Sequence, residues 1–375
     1  MKQLFSIFSL LFLFTTQGAA HQASSHEHAQ LIPIPVYDQP FGPASATAAL
    51  QAAEVLLDSF DATVKDQFMF DIGASVRTKW SNLPAGIVER SGISVGELSD
   101  DQRRLLFDFL ASSLSEEGYQ SIMEVMAAES FLSADKRAER LKWDPENYWV
   151  SFFGTPSSDQ PWGWQFGGHH IAINISIENG SVKTMSPSFI GTEPAIFTVN
   201  GENYEAVRDM HLSGFAVFSA LDASQQAKAD AGNVPEDILT GPGEKGTIPK
   251  IIGLSAAEMS EEQQSLLVAA IAEWVNIQPD ENASRRREEL VSGIDDISFA
   301  WTGNDDVNTP AYMRIQGPSL IIEMLSTGGN VGESAAGQGH YHTIYRKPNM
   351  EYGNVNIEVE GVVSKVLGFL KSLFR

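Results

Sequence analysis

GISVGELSDDQRRLL at residues 92–106 returns at residues 253–267 as GLSAAEMSEEQQSLL, without a gap. Gly92/Gly253, Ser94/Ser255, Glu97/Glu258, Ser99/Ser260, Gln102/Gln263, Leu105/Leu266 and Leu106/Leu267 agree at one offset, and Phe60-Asp61-Ala62 answers Leu221-Asp222-Ala223 at the same one. Ser99 and Ser260 each precede two acids and an apolar pattern, the layout of a helix N-cap. A second gap-free alignment pairs Gly154 with Gly303, Trp164 with Met313, Gly168 with Gly317, and Ile171-Ala172-Ile173 with Leu320-Ile321-Ile322. A third, shorter one pairs Gly191 with Gly339, Ile196 with Ile344 and Phe197 with Tyr345. The chain thus reads as two diverged copies of one unit, residues 45–204 and 205–360, each of helices followed by strands. A unit that leaves an apolar face bare packs against its neighbour. The expectation is an α+β fold of two pseudo-symmetric halves from internal duplication, with helices packed on a largely antiparallel sheet.

Apolar spacing predicts helices over Ala46–Phe68, Ser99–Leu114, Glu117–Leu132, Ala206–Ala231 and Ser260–Trp274. β-branched and aromatic runs bounded by Gly or Pro predict strands over 148–153, 169–177, 195–199, 298–301, 312–315, 319–325 and 341–345. Residues 233–250 and 327–339 are Gly-rich and polar, and read as loops.

Lys2, an apolar run from Leu4 to Phe14 and small residues up to Ala20 have the layout of a secretory signal cleaved before His21. The run is too short to span a bilayer, and no later segment approaches the ~20 apolar residues a membrane helix needs. A periplasmic or secreted protein is therefore expected, with residues 21–44 a His-containing segment ahead of the first unit. The chain carries 48 acids against 25 Lys and Arg, a net charge of −23, so nucleic acid is not an expected partner. It has no Cys, which excludes disulfides and thiolate metal ligation and leaves His, Asp and Glu as donors. Residues 361–375 read as a basic amphipathic helix, for docking on the body or contacting a membrane.

Eight histidines fall into an N-terminal group (His21, His26, His28), the adjacent pair His169 and His170, the lone His211, and His340 with His342. Alternate strand residues share a face, so His340 and His342 point one way and Tyr341 the other. At the third alignment they correspond to Thr192 and Pro194, while His169 and His170 correspond to Pro318 and Ser319. Each copy then donates one His pair, and four imidazoles meeting between the copies would hold zinc, copper or nickel. Glu323 and Glu193 are candidate further ligands or general bases, and Arg314 and Arg346 candidate holders of an anionic group at a catalytic site. The bland alternative is that both His pairs are hydrogen-bonded core residues: neither spacing is diagnostic, and the Glu that follows H-x-H in cupins is absent here, where Arg346 stands. Another class of reading is a metal-free protein binding a small molecule or glycan in a pocket lined by Trp162, Trp164, Arg314 and Arg346. His211 reads as a core or capping histidine. No G-x-S-x-G, P-loop or dinucleotide fingerprint is present, and no nucleotide cofactor is expected.

FFGTP (152–156), WGWQFGGHH (162–170), PSF (187–189), RIQGP (314–318), Ile322-Glu323 and HYHTIYR (340–346), with Trp80-x-x-x-Pro84 and Arg90-x-Gly92, resemble a family of bacterial proteins catalogued as domain of unknown function 3500. The likeness covers nearly all of the chain after residue 20. It implies that the His-His and His-x-His elements belong to the family's hallmark blocks, and it supplies no activity.

Overall fold

The computed structural model describes residues 42–199, 202–327 and 339–358. The expected signal segment, His21, His26, His28, residues 328–338 of the second loop and the basic tail 361–375 lie outside the described residues. Among the described residues no helix is long and apolar enough to cross a membrane.

The first half runs α1 (Ala46–Asp58), α2 (Ala62–Lys65), β1 (Met69–Phe70), β2 (Ile93–Ser94), α3 (Asp100–Ser113), α4 (Glu116–Leu132), α5 (Ala138–Leu141), β3 (Trp149–Phe153), β4 (Trp162–Gly167), β5 (Ile171–Glu178) and β6 (Ser181–Thr192). A hairpin, β7 (Ile196–Val199) and β8 (Glu202–Glu205), follows. The second half runs α6 (Arg208–Ser219), α7 (Ala223–Ala229), β9 (Leu254–Ser255), α8 (Glu261–Val275), α9 (Asp280–Ser292), β10 (Ser298–Thr302), β11 (Ala311–Gly317), β12 (Leu320–Ser326) and β13 (Tyr341–Arg346).

Eleven strands form one sheet in the order β1-β3-β4-β5-β6-β13-β12-β11-β10-β9, with β2 beside β3. All pairings are antiparallel except β1 with β3. The fold is thus mixed α+β on a largely antiparallel sheet. Its strand order reads the same way outward from the central pair β6/β13. Side chains alternate across that sheet. Ile171, Ile173 and Ile175 of β5 join a large core with the helices, while Ala172, Phe189, Leu325 and Ile344 join a smaller cluster with Trp80, Ile238 and Tyr352 from the loops.

The repeated stretch explains its own structure. Ser99 accepts from Gln102 N (3.3 Å) while Gln102 Oε1 accepts from Ser99 N (3.1 Å); Ser260 and Gln263 repeat this at 3.3 and 2.9 Å. Such a cap is worth about 1 kcal/mol. Each glutamine also donates to the preceding helical hairpin, Gln102 to Ser59 O (3.0 Å) and Gln263 to Ala220 O (2.8 Å). Gly92 (φ +113°) and Gly253 (φ +95°) cannot be replaced: a Cβ would stand 2.4 Å from Val150 O and 2.2 Å from Phe299 O.

The ladder corrects part of the reading. Ala46–Phe68 and Ala206–Ala231 are each broken into two helices. β4, β6 and α9 were not expected. β4 is Trp- and Gly-rich, and α9 is so charged that little apolar period remains. Pro187 argues against a central strand, yet it sits where the β5/β6 register shifts, and its carbonyl accepts from Asn174 Nδ2 (2.9 Å). The correspondence of His340 and His342 with Thr192 and Pro194 does not hold in the sheet. β13 takes the place in the second half that β6 takes in the first, and it pairs with β6, Tyr341 against Thr192 and His342 against Gly191. A three-residue match carries too little to fix strand register.

Candidate metal centre

Three chain segments meet at one end of the central strands. Gly168, His169 and His170 form the approach to β5, Gly191 lies near the end of β6, and His340 and His342 flank Tyr341 at the start of β13. Gly191 N donates to His170 O (2.7 Å). A Cβ on Gly191 would stand 3.0 Å from His342 Cδ2 and 3.1 Å from His170 Cδ2, so glycine is what lets the two rings approach. Arg90 fixes the turn from outside, donating to Gly168 O (2.8 Å) and Ser81 O (2.8 Å). Burial pushes its pKa down to about 10, and it stays charged.

The four imidazoles converge. Ring centroids lie 3.7 Å apart for His169–His170, 5.4 Å for His170–His340, 5.8 Å for His170–His342 and 4.6 Å for His340–His342. One ring nitrogen each from His170, His340 and His342 can be chosen so that all lie within 4.8 Å of one another; Glu129, His169 and His170 form a second such group. His340 Nε2 and His342 Nε2 are 3.0 Å apart.

Carboxylates hold the other nitrogens. His342 Nδ1 meets Asp237 Oδ1 at 2.8 Å, and Asp237 is itself held by Asn82 Nδ2 (2.7 Å). Glu129, on α4 and 1% exposed, meets His170 Nδ1 (3.3 Å) and His169 Nδ1 (3.1 Å). Glu193 stands 4.0 Å from His340 Nδ1. A carboxylate on Nδ1 selects the tautomer with the proton there, leaving Nε2 as a lone-pair donor, the usual arrangement behind a metal-bound histidine. His170 Nε2 is fully buried and has no hydrogen-bond partner, a costly orphan unless something accepts its lone pair. These residues fit a transition-metal ion bound through nitrogen.

Burial favours the neutral form of His170 and His340. Burial pushes His170 well below its usual value, and burial with the neighbouring His342 and His170 holds His340 down to about 2. Burial works against the Glu129 carboxylate, but His169 and His170 outweigh it and keep the group ionised. Asp237 is likewise held below the carboxylate range by His342 against its own burial. Glu193 is pushed up by burial. His169 stacks on Trp143 (6.0 Å, 27°), with Arg137 over the indole at 4.9 Å.

Other candidates lie elsewhere. Glu323 does not reach the imidazoles: its carboxylate accepts from Leu239 N (2.6 Å), Thr240 N (2.9 Å), Thr240 Oγ1 (2.6 Å) and Tyr312 OH (3.1 Å). Arg314 donates to Lys250 O (3.0 Å), and Arg346 to Thr240 O (2.7 Å), Gly241 O (2.8 Å) and Glu351. All three are buried and hydrogen-bonded to the 233–250 loop. Trp162 and Trp164 are fully buried, Trp164 edge-on to Phe109 at 5.3 Å. His211 is in the core, stacked on Tyr341 at 4.2 Å.

Sequence reasoning missed Glu129 and Asp237. Glu129 was findable, because an acid stands alone in the apolar run Val125–Leu132 of a predicted helix. Asp237 was one of several acids in a polar loop and carried no signal.

No curated protein and no solved structure matches the chain. The sequence profile of the family described as Protein of unknown function (DUF3500) matches residues 43–354, most of the chain, and the chain belongs to that family.

Proposed function

We propose that this protein binds one transition-metal ion, zinc, copper or nickel, through Nε2 of His170, His340 and His342, with Glu129 and Asp237 orienting the rings from behind. The observation that carries the reading is the buried, unpartnered Nε2 of His170 beside two imidazoles whose nitrogens fall within one 4.8 Å group. Three nitrogen donors leave a coordination position for water or a small-molecule ligand. His169 supports His170 through the shared Glu129 carboxylate. The repeated blocks and the mirrored strand order further support two halves derived by duplication, 45–204 and 205–360, with the site between them. The segment ahead of His21 supports export to the periplasm or beyond.

Elemental analysis of tag-free protein tests the reading. About one equivalent of metal is expected after incubation with Zn²⁺, Cu²⁺ or Ni²⁺, and a content that stays far below one for all three would sink it. His340→Ala/His342→Ala should abolish binding with little change in the melting temperature of the metal-free protein. Asp237→Asn should weaken binding about 10–100-fold. A purely structural His pair would instead lower the metal-free melting temperature.

A further inference from the structure

Because β6 and β13 run antiparallel, the centre of the sheet has two alike ends. At one end, the turn before β5, the start of β13 and α4 build the imidazole cluster. At the other, the turn before β12, the start of β6 and α9 meet in the same relation, but the chemistry is different. Where Glu129 of α4 reaches His169 and His170, Arg286 of α9 donates to Ser319 Oγ (3.1 Å) and Ser319 O (2.5 Å). Where β13 begins with His340 and His342, β6 begins with Val182, Lys183 and Thr184.

A cleft at this end is lined by four cations, Lys183, Arg285, Arg286 and Lys347, and one carboxylate, Glu289, while Glu178, outside the lining, pairs with Lys183 (2.5 Å). In a chain with almost two acids for every base, that clustering needs a reason. Arg286 is 5% exposed, its guanidinium set by Tyr345 OH (3.0 Å) and by Glu289 (2.7 Å). Glu289 must also serve Lys347 (3.1 Å), so its single charge is shared. Arg285 donates to Val182 O (3.3 Å) and has no carboxylate partner among the described residues. Thr184, 4% exposed, lines the same cleft, and its Oγ1 has no hydrogen-bond partner.

We propose that this cleft is an oxyanion site of the phosphate or sulfate class. Its cationic side chains come from α9, from β6 and from the residue after β13, and the Thr184 hydroxyl belongs to the same lining. A tetrahedral oxyanion offers acceptors in all of those directions, whereas a planar carboxylate offers two in one plane. His342 and Lys347 are five positions apart, about 16 Å along the strand. The site therefore stands apart from the metal reading and does not depend on it.

Thermal-shift titration of the full chain with inorganic phosphate, against chloride at matched ionic strength and against acetate, tests the assignment. Phosphate should raise the melting temperature along a saturating curve, while chloride and acetate should not. Arg285→Ala/Lys347→Ala, two partly or fully exposed positions that the fold can spare, should weaken the apparent phosphate affinity about tenfold or more. Glu289→Gln should strengthen it, because the internal competitor for the cations is gone. A phosphate response no larger than that of chloride, one matched by acetate, or one unchanged in the double variant would overturn the proposal.

Discussion

Two of the proposed ligands are placed by partners far away in the chain: Glu129 lies 41 positions before His170, and Asp237 lies 105 before His342. A ring held at Nδ1 by an anionic acceptor is both oriented and fixed in tautomer, which is why such partners matter nearly as much as ligands. Glu323 shows the opposite use of a carboxylate. Four donors converge on it in the interior, so its charge is spent on fastening the 233–250 loop to β12. Glu323→Gln replaces a charged acceptor by a neutral amide that also brings two donors. It should cost about 2–3 kcal/mol and lower the melting temperature by about 5 °C, while bound metal stays at the wild-type level. Lost metal binding with unchanged stability would return Glu323 to the functional site.

Three helices of the apolar layer bring acids together. Glu273 of α8, Glu117 of α4 and Asp209 of α6 line one cleft, and burial with these two neighbours pushes the Glu273 carboxyl up to about 7. The sign follows from linkage. A carboxyl whose pKa is higher folded than unfolded binds more protons in the native state, so its favourable contribution is complete below about 4.5 and is lost as pH rises through about 7. Glu273→Gln should therefore raise the melting temperature at pH 8, by about 1–2 °C given the half-exposed site, and make little difference at pH 4. An equal effect at both pH values would exclude this repulsion.

The continuous eleven-stranded sheet makes each half depend on the other, because separating them at β6/β13 would bare the backbone edges of two central strands that are buried along most of their length. Residues 43–205 expressed alone are expected to give no cooperative unfolding transition by circular dichroism, and a sharp transition would show that a half is self-sufficient. Much of this architecture is legible in the sequence. Ser99/Ser260 with Gln102/Gln263 and Gly92/Gly253 act through bonds to near neighbours or through steric limits of the backbone, and such constraints recur wherever the same residues recur. β6 was illegible because its Pro187 is tolerated only at a bulge that its partner strand creates, and α9 because its charges serve a cleft rather than an apolar face. The candidate ligands were readable as residue types, His169 and His170 as an adjacent pair and His340 and His342 at strand spacing. That His170 turns an unpartnered nitrogen toward the other two, that Glu129 and Asp237 stand behind them, and that Glu323 does not, are decided by strand order and loop course. Caps, glycine turns, repeated blocks and the set of available donors can be read from the order of residues, because each depends on short-range chemistry. Which of those donors meet is set by the folded chain, because convergence depends on the pairing of β6 with β13, a contact made across some 150 residues of chain.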